Sequence, residues 1–159
     1  MPIRWYATMP LESRQMSRFY DIDDANATLS ELDGIVGVLK QQRGELVRLR
    51  DEVLAAGGGD GTPAAVTASG GSGETPISND LRLIRLRMQG LIDQMAAGVA
   101  RIDALGLTLR DIERGLVDFP ALVAGRQVWL CWRHGESSIG WWHDLETGFD
   151  GRRPLAELA

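Results

Sequence analysis

The stretch that decides the fold runs from residue 21 to residue 55 and reads DIDDANATLSELDGIVGVLKQQRGELVRLRDEVLA. Ala25, Leu29, Leu32, Val36, Leu39, Leu46 and Val53 fall at alternating steps of four and three, with Arg43 and Arg50 at the two remaining seam positions. Seven apolar side chains in nine seam positions is the period of a helix presenting one stripe to a partner helix. Asp21 suits the N-cap, and Asp23 and Asp24 in the first turn answer the positive end of the helix dipole. Ile35, Val38 and Leu49 widen the stripe, so more than one surface is expected to cover this helix. Gly34, Gly37 and Gly44 each weaken it by up to about 1 kcal/mol relative to alanine, which implies compensating packing or a close helix approach.

Working outward, residues 56–78 are mostly glycine, alanine, serine, threonine and proline, the composition of a flexible linker. Gly70-Gly71-Ser72-Gly73-Glu74-Thr75 lacks the Gly-Lys-Ser/Thr ending and the preceding strand of a phosphate loop, so the linker reading stands. Residues 79–106 carry a second seam, Leu81, Ile84, Met88, Leu91, Met95, Gly98, Ile102 and Leu105, with Ser78 or Asn79 as cap and Gly106 as a left-handed stop. Two seamed helices joined by a linker predict a long, coiled-coil-like antiparallel hairpin, its helices about 50 and 40 Å long at about 1.5 Å per residue. Arg82, Arg85 and Arg87 are expected to pair with acids such as Asp51 and Glu52. Apolar residues pointing away from the seam (Ile35, Val38, Ile92, Val99) predict that two hairpins pair into a four-helix homodimer.

From residue 107 the period changes from 3.6 to 2. Leu107 to Asp111 and Leu116 to Phe119 read as short strands. Gln127 to Arg133 reads as the best strand, turning at His134-Gly135-Glu136-Ser137 into Ser138 to Asp144. Pairing around that turn sets Trp132 opposite Ile139, Leu130 opposite Trp141 and Val128 opposite His143. The other face then carries Trp129 with Trp142 and Cys131 with Gly140. The expected fold is α+β, a helical hairpin with a small C-terminal antiparallel β module, forming one domain over 19–159 behind a mobile or loosely docked tail over 1–18.

Phe19 to Leu29 resembles the opening of a known family's N-terminal helix. The C-terminal run Gly115-Leu116-Val117-Asp118-Phe119-Pro120-Ala121, Gly125-Arg126, Leu130-Cys131-Trp132, Gly135-Glu136, Trp142-His143 and Gly148-Phe149-x-Gly151-Arg152-Arg153-Pro154 resembles the same family, the proteins of domain of unknown function 2203. The resemblance covers about 19–56 and 79–155. It implies a shared fold and a prokaryotic source and brings no activity with it.

Composition narrows the function classes. Hydrophobic residues make up 44% and charged residues 25%, as in ordinary globular chains. No apolar run approaches the roughly 18 residues of a membrane span, and the first 18 residues lack the apolar core of a signal peptide. The single cysteine, Cys131, excludes an internal disulfide framework, and a cytoplasmic location is expected. Net charge is −5; residues 21–55 hold eight acids against four bases, while 79–106 hold four arginines against three aspartates. Neither segment offers the dense basic stripe that phosphate neutralisation needs, so nucleic acid is an unexpected partner.

No complete catalytic constellation is visible, so no catalytic residue is assigned. The leading expectation is a non-catalytic scaffold that self-associates through its hairpin and meets an unknown protein partner. A second reading gives His143, with Asp118 and Glu146, a divalent metal or a general-base role. His134, beside Glu136, reads as a solvated turn tip. Cys131, three residues from His134, reads as a buried inert thiol. Trp129, Trp132, Trp141 and Trp142 crowd one hairpin; Trp129 and Trp142 are expected to pack on the helices or a second subunit, the others to line a shallow ligand pocket. Arg126, Arg133, Arg152 and Arg153 either clamp an anion beside the indoles or pair with nearby acids.

Overall fold

A computed structural model describes residues 18–57 and 76–158, with side chains from residue 79 in the second segment. The tail expected over 1–18, apart from Arg18, and the linker between residues 58 and 75 lie outside the described residues.

Helix α1 spans Ile22–Ala55, and Asp21 caps it, its side chain accepting from the Asp24 N–H at 2.7 Å. Helix α2 spans Pro76–Ala104, starting three residues earlier than expected, so Ser78 and Asn79 lie inside its first turn. Proline suits that first helical position, where its fixed φ is already helical and its missing N–H has no partner to lose. Gly106, at φ +76°, ends α2 in the left-handed conformation.

The two helices run antiparallel, because rising numbers on α1 meet falling ones on α2. Arg101 reaches Glu31 at 3.4 Å, Gln42 donates to Gln94 at 3.1 Å, and Arg87 pairs with Glu45. For Arg87, Glu45 thus takes the place expected for Asp51 or Glu52, and Asp51 pairs with Arg50 on its own helix at 2.8 Å. The close approach falls at Gly98, where a Cβ would stand 2.8 Å from Leu39 Cδ2.

Five strands follow as an antiparallel meander in the order β1-β2-β3-β4-β5: Thr108–Asp111, Leu116–Val123, Arg126–Arg133, Trp141–His143 and Arg153–Pro154. β2 and β3 form one hairpin paired from Leu116↔Arg133 to Val123↔Arg126. Ala124 (φ 50°) and Gly125 (φ 75°) close it; positive φ at both residues makes a type I′ turn, whose twist matches that of the strands. β2 runs four residues past the expected end at Phe119, straight through Pro120. The ladder with β1 stops at Asp118, so β2 is an edge at Pro120 and the missing N–H costs no bond on that side. Its carbonyl accepts the Tyr20 N–H at 2.8 Å.

One sheet face packs on the helical hairpin. Val117, Phe119, Ala121, Val128, Leu130, Trp132 and Trp142 share a core with Ala25, Leu29, Leu32, Ile35, Val36 and Leu39 of α1 and Ile102 of α2. Tyr20 joins it edge-on to Phe119, and its hydroxyl donates to the Leu105 carbonyl, tying the start of α1 to the end of α2. No α1 side chain beyond Leu39 is buried, because the sheet ends there and two helices alone cover only a narrow seam. Leu54, Leu83, Leu86 and Ile92 are left exposed. No helix among the described residues is long and apolar enough to cross a membrane.

Candidate metal centre

The site is made by the pairing of β3 with β4, which differs by one residue from the pairing expected around residues 134–137. The observed partners are Trp129↔His143, Leu130↔Trp142 and Cys131↔Trp141. Ile139 does not stand opposite Trp132; its N–H donates instead to Asn26 Oδ1 on α1 at 2.7 Å. Glu136 builds the turn: its N–H donates to the Arg133 carbonyl, its carboxylate accepts the Arg133 N–H, and its carbonyl accepts Trp132 Nε1. A one-residue slip turns every side chain to the opposite face. Trp142 therefore joins Trp132 in the core, while Trp141 and His143 face away from the helices.

On that outer face His143 meets Asp118 and Cys131, which pair with each other across β2 and β3. A carboxylate oxygen, the thiol sulfur and a ring nitrogen of these three lie within 4.8 Å of one another. All three are at most 3% exposed. His143 Nε2 is 3.0 Å from Asp118 Oδ2, and its Nδ1 is 2.7 Å from the Asp144 carbonyl. Arg110 Nε donates to the same Asp118 oxygen at 2.7 Å, its guanidinium lying 4.9 Å from the Trp129 ring. Burial away from water, with Asp118 adding negative charge, pushes the Cys131 thiol up to about 12. A reactive cysteine needs the opposite shift. A Cys–His–Asp relay also needs the thiol and the carboxylate on different ring nitrogens. Here Nδ1 is held by a backbone carbonyl and Nε2 meets the carboxylate, so neither nitrogen is left for the thiol, and the geometry is that of a converging donor set.

A pocket of about 250 Å³ opens beside the three donors, lined also by Arg110, Leu116, Glu146 and Phe149. Of the residues read from sequence as metal ligands, His143 and Asp118 come together, whereas Glu146 lines the pocket without joining the donor cluster. Cys131 stands in its place. The sequence reading weighed the thiol only against His134, its nearest histidine along the chain. His134 instead packs on α1, 3.4 Å from Asp33 and edge-on to Trp132, so it is no solvated tip.

The indoles divide by face. Trp132 and Trp142 are buried against the helices, correcting the expected pair Trp129 and Trp142. Trp129 and Trp141 are half-buried on the outer face. Arg152 lies between Trp141 and Phe149, 4.5 and 4.3 Å from their ring centres, and pairs with Glu136 at 2.9 Å. Arg126 pairs with Asp144 at 3.3 Å. Both arginines are answered by acids, the second of the two sequence readings.

The protein-family model "Uncharacterized conserved protein (DUF2203)" matches residues 18–155, from the start of the helical hairpin to the last strand. No curated protein and no solved structure matches the chain. The family match takes in both helices, all five strands and the three clustered donors, and the chain belongs to this family of uncharacterised conserved proteins.

Proposed function

We propose that this protein binds a zinc-class metal ion through Asp118, Cys131 and His143. The observation that carries the reading is the orientation of His143. With Nδ1–H donating to the Asp144 carbonyl, the Nε2 lone pair faces Asp118 Oδ2 at 3.0 Å. Two lone-pair groups at that distance need a proton or a cation between them. A ligating histidine has its other nitrogen anchored in this way by an outer partner, and one nitrogen, one sulfur and one carboxylate oxygen suit zinc. Tetrahedral bonds of about 2.0–2.3 Å would hold the donors roughly 3.3–3.6 Å apart, an opening of a few tenths of an ångström at the His143–Asp118 pair. The rival occupant is a proton, giving a buried imidazolium–carboxylate pair.

Native mass spectrometry of protein purified without chelator and equilibrated with zinc distinguishes the two. One metal per chain is expected, lost in His143→Ala and in Cys131→Ala while the helical circular dichroism stays. Bare polypeptide mass in the presence of zinc refutes the reading.

A second reading, self-association of the hairpin, is favoured by the exposure of Leu83 and Leu86, at 64% and 62%, beyond the end of the core. Light scattering at micromolar concentration tests it, and a clean monomer counts against it.

A further inference from the structure

Three protein donors leave one tetrahedral position to something else. Resting on the metal reading above, we infer that this position opens into the adjoining pocket and takes a small exchangeable monoanion, an aliphatic carboxylate in particular. The ligand count comes first. Catalytic or exchanging zinc sites keep three protein ligands and an open fourth place, whereas structural sites are closed by four. Among the described residues only Asp118, Cys131 and His143 converge. Glu146 lines the pocket without being one of the set.

Charge then selects the ligand. A divalent ion with one carboxylate, one thiolate and one neutral imidazole sums to zero. Asp118, which now answers Arg110, would be shared with the metal, leaving the guanidinium partly unanswered at the pocket wall. Its Nε holds Asp118, and its terminal nitrogens carry no bond among the described residues, so they remain donors for an incoming oxygen. Glu146 on the same pocket disfavours a second negative charge, so a monoanion fits better than phosphate. Leu116 and Phe149 supply apolar wall for a short tail. At about 250 Å³ the space lies below the roughly 300–1,000 Å³ of drug-sized sites.

The test uses the full chain loaded with cobalt(II), whose spectrum reports its ligands. A thiolate-to-cobalt charge-transfer band absent from Cys131→Ser establishes the metal site. Acetate or azide should then shift the cobalt d–d bands saturably, inorganic phosphate should do so more weakly, and Arg110→Gln should raise the half-saturating acetate concentration by about tenfold or more. A charge-transfer band with d–d bands indifferent to acetate and azide overturns the open position while leaving the metal reading intact. Phosphate matching acetate, or Arg110→Gln leaving acetate binding unchanged, overturns the monoanion assignment. Absence of the charge-transfer band at saturating cobalt removes both readings.

Discussion

Asn26 and Ile139 are joined by one hydrogen bond that ties the first helix to the connection between β3 and β4. The Asn26 side-chain oxygen, on the first helix, accepts the Ile139 N–H at 2.7 Å across 113 positions of chain. Ile139 lies off the β3 ladder, and β4 begins pairing at Trp141. Replacing Asn26 by alanine leaves that N–H without its partner beside a buried side chain, a cost of about 1–3 kcal/mol. Urea denaturation should show a lower midpoint with an unchanged slope. An unchanged midpoint would mean that the strand holds its register without the helix.

Cys131 should resist thiol reagents in the native metal-free protein. Burial raises its pKa from 9.0 to about 12, so the folded chain holds the proton more tightly than the unfolded chain. The corresponding stability is whole below about pH 9 and is lost as pH climbs towards 12. Labelling with a disulfide reagent at pH 8 should follow global unfolding, and should quicken in mild denaturant. Labelling at the rate of a free thiol would disprove the burial.

Ala124 is the weak residue of the β2–β3 turn. It occupies the left-handed region at φ 50° without being glycine, and asparagine is the residue that tolerates this first turn position best. Ala124→Asn should stabilise the protein by about 0.5–1 kcal/mol, raising Tm by roughly 1–4 °C. A scanning fluorimetry curve shifted downwards would contradict the turn assignment.

Gly98 interrupts the α2 seam, and seam logic alone would fill it with isoleucine. The opposite outcome is expected here: an added Cβ alone would stand 2.8 Å from Leu39 Cδ2, and Leu39 is buried. Gly98→Ile should destabilise by about 1–3 kcal/mol through overpacking. A more stable variant would show that the hairpin can spread at no cost.

Both helices and their antiparallel pairing were legible because a 3.6-residue period repeats many times over 34 and 29 residues. The strand read at 127–133, one residue short of its observed start, was legible from its alternation and its β-forming side chains. Register was not legible, since it accompanies a turn closed by Glu136 and a bond from Ile139 to Asn26, a residue remote in sequence with nothing local to mark its role. The long second strand was hidden by Pro120, a strand breaker by rule that here stands where the β1 ladder has ended. Its turn was hidden as well, because Ala124-Gly125 lacks the asparagine or aspartate that signals a type I′ hairpin. Asp118 and His143 could be named as a pair from their chemistry. Cys131 could not be joined to them, because the one-residue slip is what turns His143 to its face.

The end of the core at Leu39 makes α1 a lever. Its first half is gripped by the sheet, Arg43 still reaches Glu113 in the β1–β2 turn at 2.9 Å, and the 12 residues that follow, Gly44–Ala55, extend about 18 Å further. A tilt of about 10° at the grip would carry the tip about 3 Å. One hydrogen bond of that grip, from Ile139 to Asn26, stands at the turn leading into β4, so the helix that carries the hairpin and the strand that carries His143 are anchored at a common point.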